Sequence, residues 1–179
     1  MADRLSGISR REPAGRSPRV DAVPPFSSFL EEHRADVYRF LLAAVGPQDA
    51  DDCFQETFLS ALGAYADLRD ARNLRGWVLT IATRKALDHW RARRRRPLPV
   101  EELPERPAPP REDADPELWR AVGALPPMQR AAVIHRYVLD LPYAEVASAL
   151  GCSEEAARAS AAVGRKKLRA TVLAGEETG

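Results

Sequence analysis

The twelve residues from Pro142 to Ser153, PYAEVASALGCS, decide how this chain folds. A short helix runs from Pro142 to Leu150, closes at a turn on Gly151, and passes to a second helix that Ser153 is suited to cap. Val146, Ala147 and Leu150 recur at helical spacing and therefore pack inward together. Two helices joined in this way resemble a helix-turn-helix, whose second helix enters the DNA major groove with its N-terminal side chains on base edges. Arg158 is the one residue of that segment able to fork onto a guanine. The same pattern would also serve a plain helical hairpin that binds no DNA.

Outward from this motif the helical period continues in both directions. Leu118 to Ala124, Pro127 to Leu139, Pro142 to Leu150 and Ser153 to Leu173 read as four helices. Before them, seven prolines among the 21 residues from Pro97 to Glu117 forbid regular helix and favour an extended path. At roughly 3.1 Å per residue this linker reaches about 65 Å, enough to set two small domains on separated sites of a large partner. Nearer the N-terminus, Phe26, Phe29, Leu30, Val37, Phe40, Leu41, Ala44 and Val45 mark a first amphipathic helix that stops near Gly46. Pro47 opens a second, in which Ala50, Cys53, Phe54, Thr57, Phe58, Ala61, Leu62 and Tyr65 form a sustained stripe expected to be buried. A third helix starts at about Asn73, on Leu74, Trp77, Val78, Ile81 and Leu87. The expected fold is therefore all-α. Two small helical domains, 26–96 and 117–175, are joined by an acidic, Pro-rich linker at 97–116, with a disordered arm at 1–25 and a disordered tail at 176–179.

The net charge of +1 conceals a sorting of charge along the chain. Phe26 to Leu62 holds seven acidic and two basic residues, whereas Arg84 to Arg96 holds seven basic and one acidic. Pro97 to Glu117 swings back to seven acidic against two basic, and Arg158 to Arg169 carries five positive charges and no negative one. Two clustered cationic segments separated by an acidic linker point to two nucleic-acid contacts on one chain, because phosphate is neutralised by grouped Lys and Arg.

Other function classes fall away. His33, His89 and His135 lie in separate helices without carboxylate or cysteine at ligand spacing; no Gly-rich phosphate loop or nucleophile elbow is present. No catalytic residue, metal site or cofactor is expected, and the protein is not expected to be an enzyme. Cys53 and Cys152 are far apart, which fits the reducing cytoplasm, and Cys53 reads as a buried small hydrophobe. No apolar run approaches the roughly 20 residues of a membrane span, and the Arg- and Pro-rich arm lacks an apolar signal region. Trp77 and Trp90 sit in or beside the basic helix, where an aromatic ring could stack on an unpaired base; core packing is the simpler role for Trp77.

Taken in order, these motifs resemble the extracytoplasmic-function sigma factors, the smallest architecture of the sigma-70 family, over about Phe26 to Leu173. Asp49 to Glu56 (DADDCFQE) with Thr57 and Phe58 resembles the family's polymerase-binding helix. Arg75 to Arg91 (RGWVLTIATRKALDHWR) resembles its promoter-melting helix, and Leu125, Pro126, Arg130 and Tyr137 to Leu150 match the start of its second domain. The resemblance implies a factor that binds the β and β′ subunits of core RNA polymerase, directs it to promoters and melts the -10 region, with an anti-sigma factor as a further class of partner. Asp49, Asp52, Gln55 and Glu56 would bind polymerase. The loop and helix bearing Leu68, Arg69, Asp70, Arg72, Asn73, Arg75, Trp77, Arg84, Lys85 and Arg91 would hold the -10 DNA. Ser153, Arg158, Ser160, Arg165, Lys166 and Lys167 would face the -35 element. Where the family usually carries Gly-Thr-Val-Lys-Ser-Arg, this chain has Glu155, Ala156, Ala157, Arg158, Ala159 and Ser160, so only Arg158 is basic before Arg165. Thr83 also departs from a common Asn. Two alternatives share part of the pattern: a sigma-like helix-turn-helix regulator, and a polymerase-interaction protein without full initiation activity. Neither needs a basic, Trp-bearing, strand-melting helix.

Overall fold

The computed structural model describes residues 23–69, 71–95 and 115–176. Most of the N-terminal arm, Asp70, nearly all of the linker and the last three residues lie outside the described residues, with the expectations attached to them. The described chain is helical, without strands. Its order is α1 (Phe26–Val45), α2 (Pro47–Tyr65), α3 (Leu74–Arg95), α4 (Pro116–Ala124), α5 (Pro127–Val133), α6 (Tyr143–Leu150) and α7 (Glu154–Glu176).

Helices α1, α2 and α3 pack on one another around Phe29, Val37, Phe40, Leu41, Phe58, Val78 and Leu79. Phe29 is the hub. Its ring lies 5.6 Å from Phe26, 5.0 Å from Tyr65, 5.7 Å from Trp77 and 6.2 Å from Phe58, in tilted or edge-on arrangements that suit aromatic quadrupoles. Trp77 is thus a half-buried core residue, as its place on the apolar stripe suggested. Buried Thr57 donates to the Cys53 carbonyl at 2.7 Å, which satisfies its hydroxyl within the helix. Cys53 is buried, and burial followed by the charges of Glu56, Asp49 and Asp52 pushes its thiol up to about 11, so it is an unreactive packing residue.

Helices α4 to α7 form a second unit. Trp119, Val122, Ile134, Leu141, Val146, Leu150, Ala157, Ala161 and Leu168 fill its interior, with Val146, Ala147 and Leu150 turned inward as expected. The structure corrects three readings of the sequence. The helix expected over Pro127 to Leu139 is α5 followed by a π turn at Ile134–Val138, where the Leu139 N–H reaches back to the Ile134 carbonyl at 3.1 Å. Helix α4 begins at Pro116, behind an Asp115 cap that accepts the Glu117 N–H at 2.8 Å. Leu62, assigned to the buried stripe of α2, is 53% exposed, whereas Ala61 before it and Tyr65 after it face the core, so Leu62 stands at the edge of the stripe.

The two units are docked rather than separate. α5 and α6 lie on α3, the π turn touches α1, and buried apolar residues of both units form one continuous core.

Candidate functional site

Three surfaces collect the residues singled out from the sequence. On α2, Asp52, Gln55 and Glu56 are exposed and lie on one face with Leu59, since i, i+3, i+4 and i+7 stack along a helix. Leu59 is 69% exposed and continues into exposed Leu62, so the acidic strip has an apolar floor. Neither leucine was recognised as a surface residue; the available signal was Leu59 standing off the apolar stripe. Asp49 differs from its neighbours. It is half-buried against α3, 3.2 Å from His89 Nε2 and 3.1 Å from an Arg93 terminal nitrogen.

On α3 the cations are sorted by partner. Arg84 is exposed. Lys85 reaches Glu56 of α2 at 3.4 Å, which sets a residue expected at DNA beside one expected at polymerase. Arg91 pairs along the helix with Asp88 at 2.8 Å, both exposed. Arg75 is turned inward: its Nε donates to Asp36 of α1 at 2.7 Å and a terminal nitrogen donates to the Leu139 carbonyl of the second unit at 3.2 Å. Trp90 is buried, with the Arg130 guanidinium 4.8 Å above its ring. It is therefore not free to stack on a base in this arrangement, because its burial depends on a helix from the other unit.

The loop between α2 and α3 places Arg69, Arg72 and Asn73 at the surface and packs Leu68 against the core. Asn73 also starts α3, its side-chain oxygen accepting the Gly76 N–H at 2.7 Å. A Cβ at Gly76 would fall 2.5 Å from the Asn73 amide nitrogen, so a side chain here would have to displace the Asn73 amide.

The third surface is the helix-turn-helix of α6 and α7. Gly151, in the left-handed region at φ 66°, closes α6 by donating to the Ala147 and Ser148 carbonyls. Ser153 Oγ accepts the Ala156 N–H at 3.1 Å and opens α7. Arg158, Arg165, Lys166 and Lys167 are exposed along α7, and Ser160 is half-buried. Arg158 is held: it donates to Glu154 at 2.7 Å and its guanidinium lies 4.4 Å over the Tyr143 ring of α6. Arg136 lies over the same ring at 5.4 Å and over Tyr137 at 6.0 Å. This mixed cationic and aromatic surface joins residues from three elements. No spacing rule exposes it in the sequence.

Among the described residues no cluster of three or more metal-ligating side chains occurs, and no helix is long and apolar enough to cross a membrane.

Comparison with known proteins agrees with this geometry. The Sigma-70 region 2 family matches residues 29–96, the unit of α1 to α3, and the Sigma-70, region 4 family matches residues 116–168. The ECF RNA polymerase sigma factor SigC of Mycobacterium tuberculosis is 33% identical over 159 residues, covering 85% of each chain. SigG of the same species is 33% identical over 174 residues, covering 79% of this chain and 47% of SigG, so the chain spans about half the length of that relative. Among solved structures, the sigma factor RpoE of Bartonella quintana, in complex with the anti-sigma factor NepR, superposes with a TM-score of 0.70 at 19% identity, covering 82% of this chain and 96% of that one. CnrH, in complex with the cytosolic domain of CnrY, gives 0.64 at 23% identity over 83% and 88%. These two likenesses show a shared fold. With both helical units matched in order and a relative covered along most of its length, the chain belongs to the ECF sigma factors of the sigma-70 family.

Proposed function

We propose that this protein is a transcription initiation factor without enzymatic activity, which binds core RNA polymerase, directs it to promoters and opens the -10 region. The observation that carries the reading is the make-up of the surface: an acidic strip with exposed leucines on α2, exposed Arg84 and Arg91 on α3, and exposed Arg165, Lys166 and Lys167 on α7. In this reading the 26–96 unit binds the β and β′ subunits through Asp52, Gln55 and Glu56, with Asp49 bracing α2 on α3. Complementary charge steers such an encounter. The loop around Leu68, Arg69, Asp70, Arg72 and Asn73 and the cations of α3 then engage the -10 strand. Binding to single-stranded DNA offsets an unstacking cost of about a few kcal/mol per extruded base, so no ATP is required. The 117–175 unit holds the -35 element through α7, and the linker spans the distance between them. The site of action is the cytoplasm, and an anti-sigma protein, the class bound to RpoE in its co-crystal, is a further partner. The decisive experiment is run-off transcription by core polymerase from promoters of the source genome; absence of specific transcripts overturns the reading.

Replacing Arg84, Lys85 and Arg91 with Ala should leave polymerase binding intact but abolish permanganate reactivity of -10 thymines. Three phosphate-directed charges would shallow the salt dependence of single-strand binding by about 2 in log–log slope, at roughly 0.7 per contact. Unchanged thymine reactivity would place strand opening elsewhere.

At the -35 element two kinds of contact should separate. Arg158→Ala is expected to relax preference at one base position by about 1–3 kcal/mol, the range for a forked contact on guanine, while Lys166→Ala weakens all sequences about equally. Binding across a -35 mutant library at several salt concentrations measures both. An unchanged preference profile in Arg158→Ala would leave promoter choice to the first unit.

A further inference from the structure

Two arginines converge on one ring of the helix-turn-helix. Half-buried Tyr143, at the start of α6, carries the Arg158 guanidinium 4.4 Å from its centroid and that of Arg136, from the π turn, at 5.4 Å. Each cation is tied to a carboxylate four residues away along the chain: Arg158 donates to Glu154 at 2.7 Å and Arg136 to Asp140 at 2.8 Å. The carboxylates offset the repulsion between two like charges gathered on one ring. Arg158 is exposed, so the ring beneath it is a floor and not a cover.

A guanidinium resting on a ring keeps its edge available. Its N–H groups all lie in the plane of the group, so stacking on Tyr143 consumes none of them and Glu154 engages one terminal nitrogen. An unheld arginine on a DNA-facing helix has two choices: a base edge, which carries sequence, or a phosphate, which carries none. Several features oppose the second choice here. Glu154 and Glu155 stand exposed in the first turn of α7, where their charges repel phosphate, and Arg158 is the only cation of the helix before Arg165. A side chain ordered in advance also loses little rotamer freedom when it docks, which matters more for a two-donor fork on guanine than for a phosphate that accepts many approaches.

We propose that Tyr143 and Glu154 are positioning residues for promoter recognition: together they hold Arg158 as a reader of guanine and withhold it from the phosphates, so that this helix gains discrimination at the expense of affinity. The proposal rests on the reading of α7 as the -35 helix, whereas the hold itself is measurable without DNA or polymerase. In the protein alone, nitrogen-15 relaxation at the Arg158 Nε–H should report an ordered side chain in the parent and in Tyr143→Phe, and a less ordered one in Tyr143→Leu and in Glu154→Ala. Glu154 is exposed and the Ser153 cap of α7 is left in place, so the second substitution leaves the fold intact.

The functional test measures binding of holoenzyme, reconstituted from the full chain and core polymerase, across a library of -35 point variants at several salt concentrations. Tyr143→Leu should lower discrimination roughly two- to fivefold, the range for an exposed cation–π contact, and only at the position that Arg158→Ala relaxes. Tyr143→Phe should match the parent. Glu154→Ala should lower discrimination at the same position, raise affinity for sequences lacking the preferred base, and steepen the log–log salt dependence by about 0.9 as the released arginine takes a phosphate. A merely structural role would relax every position together, and that outcome overturns the proposal. So does equal Arg158 order in the parent and both variants, or unchanged discrimination in Tyr143→Leu and Glu154→Ala where Arg158→Ala does relax it. Unchanged preference in Arg158→Ala itself overturns the proposal together with the reading of α7 as a base reader, so the two failures are told apart.

Discussion

Reversing Asp52 and Glu56 together to Lys is expected to weaken binding to core RNA polymerase about a hundredfold while leaving the helices intact. Both carboxylates are exposed on α2, beside and not within its buried stripe. Close charge pairs across protein interfaces couple by about 1.5–7 kcal/mol, so two reversals at the low end remove about 3 kcal/mol, roughly two decades of affinity. Within the fold the change disturbs only the Glu56–Lys85 pair, whose carboxylate is well exposed, and such pairs contribute at most about 1 kcal/mol. The thermal midpoint should therefore fall by no more than about 4 °C. Affinity measured by interferometry on immobilised core enzyme, alongside a melt, reads both quantities. Unaltered affinity would remove α2 from the interface.

Phe29→Ala should have the largest effect on stability. The ring is fully buried and touches aromatic neighbours from all three helices of the first unit, so truncation leaves a cavity walled by side chains that cannot close together. Losses for buried Phe→Ala run to about 3–5 kcal/mol, against a total stability of about 5–15 kcal/mol for a typical protein. Leu59→Ala, at an exposed position on α2, should stay within about 0.5 kcal/mol. Urea unfolding followed by circular dichroism compares the two. A loss below about 1 kcal/mol in Phe29→Ala would show that the aromatic cluster is not the centre of this core.

Much of this fold is written in local pattern. The apolar period of α1 and α2, the break at Gly46 and Pro47, and the Gly151 turn with its Ser153 cap are consequences of neighbouring residues, since helical spacing and capping act within a turn or two. The candidate surfaces were legible for the same reason: charges grouped in sequence remain grouped along a helix, as Asp52, Gln55 and Glu56 do on α2 and Arg165, Lys166 and Lys167 do on α7.

The remainder depends on partners distant in the chain. Trp90 reads as a surface aromatic in a basic helix until Arg130, forty residues away, lies over it. Lys85 and Arg75 read as equal cations beside Arg84, yet one is tied to Glu56 and the other to Asp36 and the Leu139 carbonyl. Arg158 stands alone in the sequence and acquires Tyr143 beneath it only when α6 and α7 cross. The sequence by itself determined an all-α chain with a helix-turn-helix and sorted charge, because these follow from periodicity and spacing, and the likeness of its motifs carried the family resemblance. Only the tertiary structure decided which of those charges are exposed and that His135 is buried between the two units. Burial and pairing belong to surfaces brought together across the chain, and no local period encodes them.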